Sequence, residues 1–129
     1  MYKHSKTIIP YEHIDTEVVN LCKALNSIEG VETEESCSGH GKEPCQIWFK
    51  VRNVTTFNKL MFHCFNGSSM WQIKVNLADP HRDWVELHLV LTSTSVLKND
   101  DFENLAKRIC SKIEDMKMTA YEWEFLRSE

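Results

Sequence analysis

The chain has 129 residues, 42% of them apolar and 26% charged, with a formal charge of −4. That length bounds one domain with a real core rather than two, and the composition excludes a disordered or fibrous chain. A negative balance also argues against coating nucleic acid by bulk electrostatics, leaving only a local basic face for such a role.

The first element reads as a helix. Asp15 or Thr16 can cap it, Val18, Cys22, Leu25 and Ile28 recur at helical spacing, and Gly30 sits where a left-handed C-cap belongs. Residues 31–37 then read as a strand. Residues 45–52 read as a second one, with Ile47, Phe49 and Val51 alternating against Gln46, Trp48, Lys50 and Arg52. The seven residues between them hold two glycines and Pro44, which suits a hairpin with a shaped loop.

A second helix is expected from a cap near residues 53–55, with Phe57, Leu60, Met61 and Cys64 on one stripe and Asn66-Gly67-Ser68-Ser69 as its stop. Residues 70–77 form a strand predicted to bury Trp71, Ile73, Val75 and Leu77. After a turn over 78–83, residues 84–92 form another, burying Val85, Leu87, Leu89 and Leu91. Asn99 or Asp100 caps a long third helix with Phe102, Leu105, Ala106, Ile109, Ile113 and Met116 as its apolar stripe.

The order α-β-β-α-β-β-α predicts a single α+β domain over residues 1–129. It is a two-layer sandwich, with an antiparallel four-stranded sheet carrying helices mainly on one face. Strand order is not readable from this pattern. The uncovered face then carries Glu32, Glu34, Ser36, Trp48, Lys50, Arg52, Lys74, Asn76, Trp84, Glu86 and His88. Either cross-strand charge pairs or a ligand account for such a face. The tail residues Tyr121, Trp123 and Phe125 are expected to dock on the domain rather than stand in water.

The N-terminus is polar apart from Ile8 and Ile9 before Pro10, so no signal peptide is read, and no apolar run approaches the ~20 residues of a membrane span. The five cysteines (22, 37, 45, 64 and 110) are an odd number, and Cys22 and Cys110 fall on helical core faces. A reduced, cytoplasmic protein without a disulfide framework is the simpler reading.

The densest chemistry is Glu35-Ser36-Cys37-Ser38-Gly39-His40-Gly41-Lys42, at the end of the first strand. Cys37 is a candidate nucleophile and His40 its polarising partner, since a thiol works as its thiolate and needs a neighbouring base or cation. Ser36, Ser38, Gly39, Gly41 and Lys42 suit an anion: hydroxyls, amides that glycine can splay, and an ammonium. This is not a Walker loop, because G-x-x-x-x-G-K is absent. An unbroken hairpin register sets Cys37 opposite Cys45 with His40 between them. That is a partial zinc set whose fourth ligand is His63, Cys64 or water, although no C-x-x-C accompanies it. The bland alternative is a hairpin loop whose glycines supply positive φ and whose Ser and His side chains cap backbone groups.

Glu-Ser-Cys-Ser-Gly-His-Gly-Lys before Ile-Trp-Phe resembles a family of small bacterial and phage proteins without an assigned activity. More remotely, Ser36-Cys37-Ser38-Gly39 is similar to the wybutosine-synthesis methyltransferase family, which acts on tRNA with S-adenosylmethionine. His40 stands where that family commonly has an arginine. The resemblance covers the hairpin alone and implies that these four residues line a cleft.

The function expected is binding, with or without modification, of an anionic ligand such as a nucleotide or RNA segment. The 36–42 turn holds it, with stacking on Trp48 or Trp84 and phosphate contacts from Lys42, Lys50 or Arg52. The alternative is a small metal-binding or protein-interaction module using Cys37, His40 and Cys45 without catalysis. No cofactor, committed metal ligand or oligomeric state is assigned.

Overall fold

The computed structural model describes residues 15–82 and 85–128. A 3-10 turn, Thr16–Val18, leads into α1, Val19–Asn26, which buries Leu21, Cys22, Ala24 and Leu25. Gly30 follows at φ +86°, the left-handed conformation that costs a side-chain-bearing residue ~1–2 kcal/mol. The strands are β1, Val31–Cys37; β2, Gln46–Val51; β3, Trp71–Pro80; and β4, Val85–Ser93. Between β2 and β3 lies α2, Val54–Leu60, prolonged by a π-helical turn at Met61–Phe65. Two further helices follow β4: α3, Asn99–Met116, and α4, Ala120–Ser128.

Helix ends follow local hydrogen bonding. The Asn53 side chain accepts the Thr56 amide at 2.8 Å and caps α2, as its position suggests. For α3 the cap falls at Lys98, before the expected Asn99 or Asp100, because the Asp101 carboxylate reaches back to the Lys98 amide at 2.9 Å. Asp15 does not cap α1 with its side chain. Its carboxylate is engaged elsewhere.

All pairings are antiparallel, and the strand order is β1-β2-β4-β3. Val31, Ile47, Phe49, Val51, Leu87, Leu89 and Leu91 point to one face. They join Leu21, Leu25, Leu60, Phe102, Leu105 and Ile109 from the helices in one core. The α+β architecture is therefore the one the periodicities predict, with one helix more than expected among the described residues. The tail residues that alternate aromatic and acidic side chains form α4. It is tied to α2 by a 2.7 Å Lys59–Glu122 ion pair, while Tyr121 stays 77% exposed rather than docked. Trp84 and the Phe125 side chain lie outside the described residues.

Two bulges redirect the sheet. The first, between Thr33 and Glu35, moves β1 by one residue against β2: Thr33 faces Phe49, but Glu35 faces Trp48 and Cys37 faces Gln46. Without that extra residue Cys37 would face Cys45, so the expected Cys37–Cys45 pairing fails for this reason. The same shift takes Ser36 off the open face and sets it opposite core residue Ile47. The second bulge lies between Val75 and Leu77 in β3. It sets Leu77 opposite His88 on the open face, where it is 54% exposed, while Val75, opposite Leu89, and Val85 are 55% and 36% exposed although predicted to be buried. β3 also continues to Pro80 instead of ending near Leu77.

Candidate functional site

The 36–42 turn is held by its own backbone. Gly39, His40 and Gly41 have φ of +89°, +52° and +72°, three successive left-handed residues of which His40 alone carries a side chain. The Gly39 carbonyl accepts the amides of Lys42 at 2.9 Å and Glu43 at 3.0 Å. A Cβ on Gly39 would stand 1.9 Å from the Glu43 carbonyl oxygen, so only glycine closes this loop. The loop's far end is pinned to β4: the Cys45 amide donates to Ser93 Oγ at 2.9 Å, and the Ser93 amide donates to the Cys45 carbonyl at 3.2 Å.

The residue that sequence reasoning missed is Asp15. One of its carboxylate oxygens accepts the Ser38 amide at 3.0 Å and lies 3.5 Å from His40 Nε2. Ser38 is buried, and its hydroxyl accepts the His40 amide at 3.1 Å, which fixes His40 over Asp15. A carboxylate oxygen of Asp15, the Cys37 sulfur and an imidazole nitrogen of His40 consequently lie within 4.8 Å of one another. Asp15 and Cys37 are half-buried, while His40 is exposed. No local signal in the sequence joins Asp15 to the turn, because 23 residues separate it from Ser38.

The other predicted site residues scatter. Ser36 hydrogen-bonds the Cys22 thiol on the helical side. Cys45 is fully buried just before β2 and is not part of the Asp15 group. Gly41 and Lys42 are exposed on the turn, although the Lys42 amide is spent on Gly39. Trp48 is half-buried two residues along β2 from Gln46. Lys50 and Arg52 lie roughly 13 and 20 Å from that end at strand rise. They line a separate depression of about 230 Å³ with Asn26, Gly30 and Glu32.

Lys50 is held by Glu32 at 3.2 Å and Glu86 at 3.9 Å. His88 bridges Glu86 at 3.3 Å and the nearly buried Glu34 at 3.4 Å. The open face is therefore a chain of carboxylates joined through one lysine and one histidine. Elsewhere a depression of about 390 Å³ lies between the 66–70 turn and α3.

The thiols divide sharply. Burial pushes Cys22 and Cys64 up to about 11, partly offset by the Ser36 hydrogen bond at Cys22 and by Arg108 and Lys112 near Cys64. Burial also pushes Cys45 up to about 12, helped by its acidic neighbours, whose ionised forms would repel a thiolate there. These three are inert at neutral pH. Cys37 is partly accessible, and Cys110, expected on a core face, is exposed.

No family model, curated protein or solved structure matches the chain.

Proposed function

We propose that Asp15, Cys37 and His40 bind a divalent transition metal of the zinc class, with a coordination position left for water or an anionic ligand. The observation that carries this reading is the convergence of one carboxylate oxygen, one sulfur and one imidazole nitrogen within 4.8 Å. Zinc takes these donor types at ~2.0–2.3 Å, so a small inward movement of the exposed His40 completes the set. A thiolate and a carboxylate balance the charge of a divalent ion. The Ser38 amide on Asp15 supplies the outer hydrogen bond that orients a ligating carboxylate. Three protein ligands with an open fourth position characterise sites that process or hold a ligand rather than purely structural ones. The anion expected at this turn then has a place on the metal, with Lys42 two residues from His40.

Equilibrium dialysis of the full chain against zinc tests the reading. One bound ion per chain is expected, with at least a tenfold loss of affinity in Cys37→Ser and in His40→Ala. Absence of saturable binding in the parent overturns it.

A second reading places a nucleotide or RNA segment on Trp48, with phosphate contacts from Arg52. The partial exposure of Trp48 and the exposed Arg52 favour it. The carboxylates of Glu32, Glu34, Glu35 and Glu86 on the same face oppose a polyanion, and Lys50 is already paired. Fluorescence anisotropy with labelled single-stranded RNA at low salt, in the parent and in Trp48→Ala, decides it. Binding that Trp48→Ala weakens supports this reading, and no binding by the parent removes it.

A further inference from the structure

We infer that β3 is a self-pairing edge, through which two copies of this chain join their sheets into one. Among the described residues β3 is one of the two outer strands of the sheet, ten residues long. Exposed edges of this length are templates for strand addition, and proteins commonly blunt them with charge or proline. In β3 the protecting features are Lys74, exposed mid-strand, the bulge between Val75 and Leu77, and Pro80 at the far end, while Val75 and Leu77 are more than half exposed on the same edge.

A lysine in such an edge rejects any incoming strand that lacks an acidic residue opposite it. The chain's own strand supplies one. In an antiparallel pairing of two β3 strands centred on the 76–77 peptide, Lys74 faces Asp79 of the second copy. Val75 then faces Ala78, Leu77 faces Asn76, and Ile73 faces Pro80.

In a regular strand this register is forbidden, because residues five apart point to opposite faces. The bulge removes the obstacle. Lys74 pairs with Val90 and Asp79 with Glu86, two β4 residues of the same parity, so Lys74 and Asp79 share the open face. Val75 pairs with Leu89 and Ala78 with Leu87, so those two share the core face. The Lys74–Asp79 pairs therefore lie on the open side of the joined sheet and the Val75–Ala78 pairs on the core side, with Asn76 and Leu77 at the centre. Charge complementarity of β3 with itself thus argues for a second copy as the occupant, in preference to a foreign strand.

Sedimentation equilibrium of the full chain over a hundredfold concentration range tests this. The expected mass rises from monomer to dimer. Lys74→Glu, and separately Asp79→Lys, should each raise the dissociation constant at least tenfold by setting like charges opposite each other. The double exchange Lys74→Glu, Asp79→Lys should restore it. Circular dichroism matching the parent establishes that each variant folds, and if one single variant does not, the other carries the same test. A parent that stays monomeric throughout overturns the inference, and so does a dimer indifferent to both single changes. Failure of the double exchange to restore association overturns the Lys74–Asp79 register.

Discussion

The Asp15 carboxylate accepts the Ser38 amide at 3.0 Å, which ties the residue before the first helix to the turn after the first strand. A hydrogen bond to a charged acceptor contributes ~1.5–3 kcal/mol when buried, and the partial exposure of Asp15 lowers this to ~1 kcal/mol. Asp15→Ala should cost about that much in denaturant unfolding and speed hydrogen exchange at the Ser38 amide, with Asp15→Asn retaining part of the protection. Unchanged exchange at Ser38 in Asp15→Ala would show that this contact does not hold the turn.

The two turn glycines should differ in what they tolerate. Both have positive φ, but a Cβ at Gly39 meets the Glu43 carbonyl oxygen at 1.9 Å, whereas a Cβ at Gly41 has nothing within 4 Å. Gly41→Ala should cost ~1 kcal/mol from backbone strain alone. Gly39→Ala should cost about 2–4 kcal/mol, because the loop backbone must move as well. Equal midpoints for the two variants in urea would contradict the closed-loop geometry.

The β3–β4 hairpin gives a sharper contrast. Leu77 is 54% exposed and Leu89 only 1%. Truncating Leu89 to Ala should destabilise by ~2–5 kcal/mol, and the same change at Leu77 by ~0.5 kcal/mol at concentrations where the chain is monomeric. A large loss at Leu77 under those conditions would place it in the core, where simple alternation puts it.

That contrast marks the limit of what the residue pattern conveys. Helical stripes, strand alternation, Gly30 and the Asn53 cap are local signals, and each corresponds to the element it suggests. The two bulges are not local signals. One extra residue near Glu34 reverses the facing of Ser36 and Cys37, and another near Asn76 sets Leu77 on the open face opposite His88. Nothing in the composition of either segment announces the insertion. The partnership of Asp15 with Ser38 and His40 is long-range in sequence, so Cys37 and His40 are visible as chemistry while Asp15 carries only the local signal of a helix cap.

Glu122 couples the last helix to pH. The hydrogen bond from Lys59, reinforced by the Thr119 amide, holds its carboxyl below the ordinary value near 4.5. A depressed folded value means the stabilisation is full at neutral pH and is lost as pH falls through that folded value. Glu122→Gln should therefore lower stability by no more than ~1 kcal/mol at pH 7. The gap to the parent should close in acid below pH ~4. A gap that persists unchanged into strong acid would assign the effect to packing rather than charge.

In the proposed centre Asp15, Cys37 and His40 share one metal, and Cys110 provides the internal reference for testing it. With burial pushing Cys22, Cys45 and Cys64 up to about 11, 12 and 11, iodoacetamide on the native protein near neutral pH should label Cys37 and Cys110 alone. Site-resolved mass spectrometry with and without one equivalent of zinc then reads the centre directly. The expected result is at least tenfold protection of Cys37 by zinc, reversed by chelator, with no change at Cys110. Equal Cys37 labelling rates in the presence and absence of zinc would contradict the metal centre.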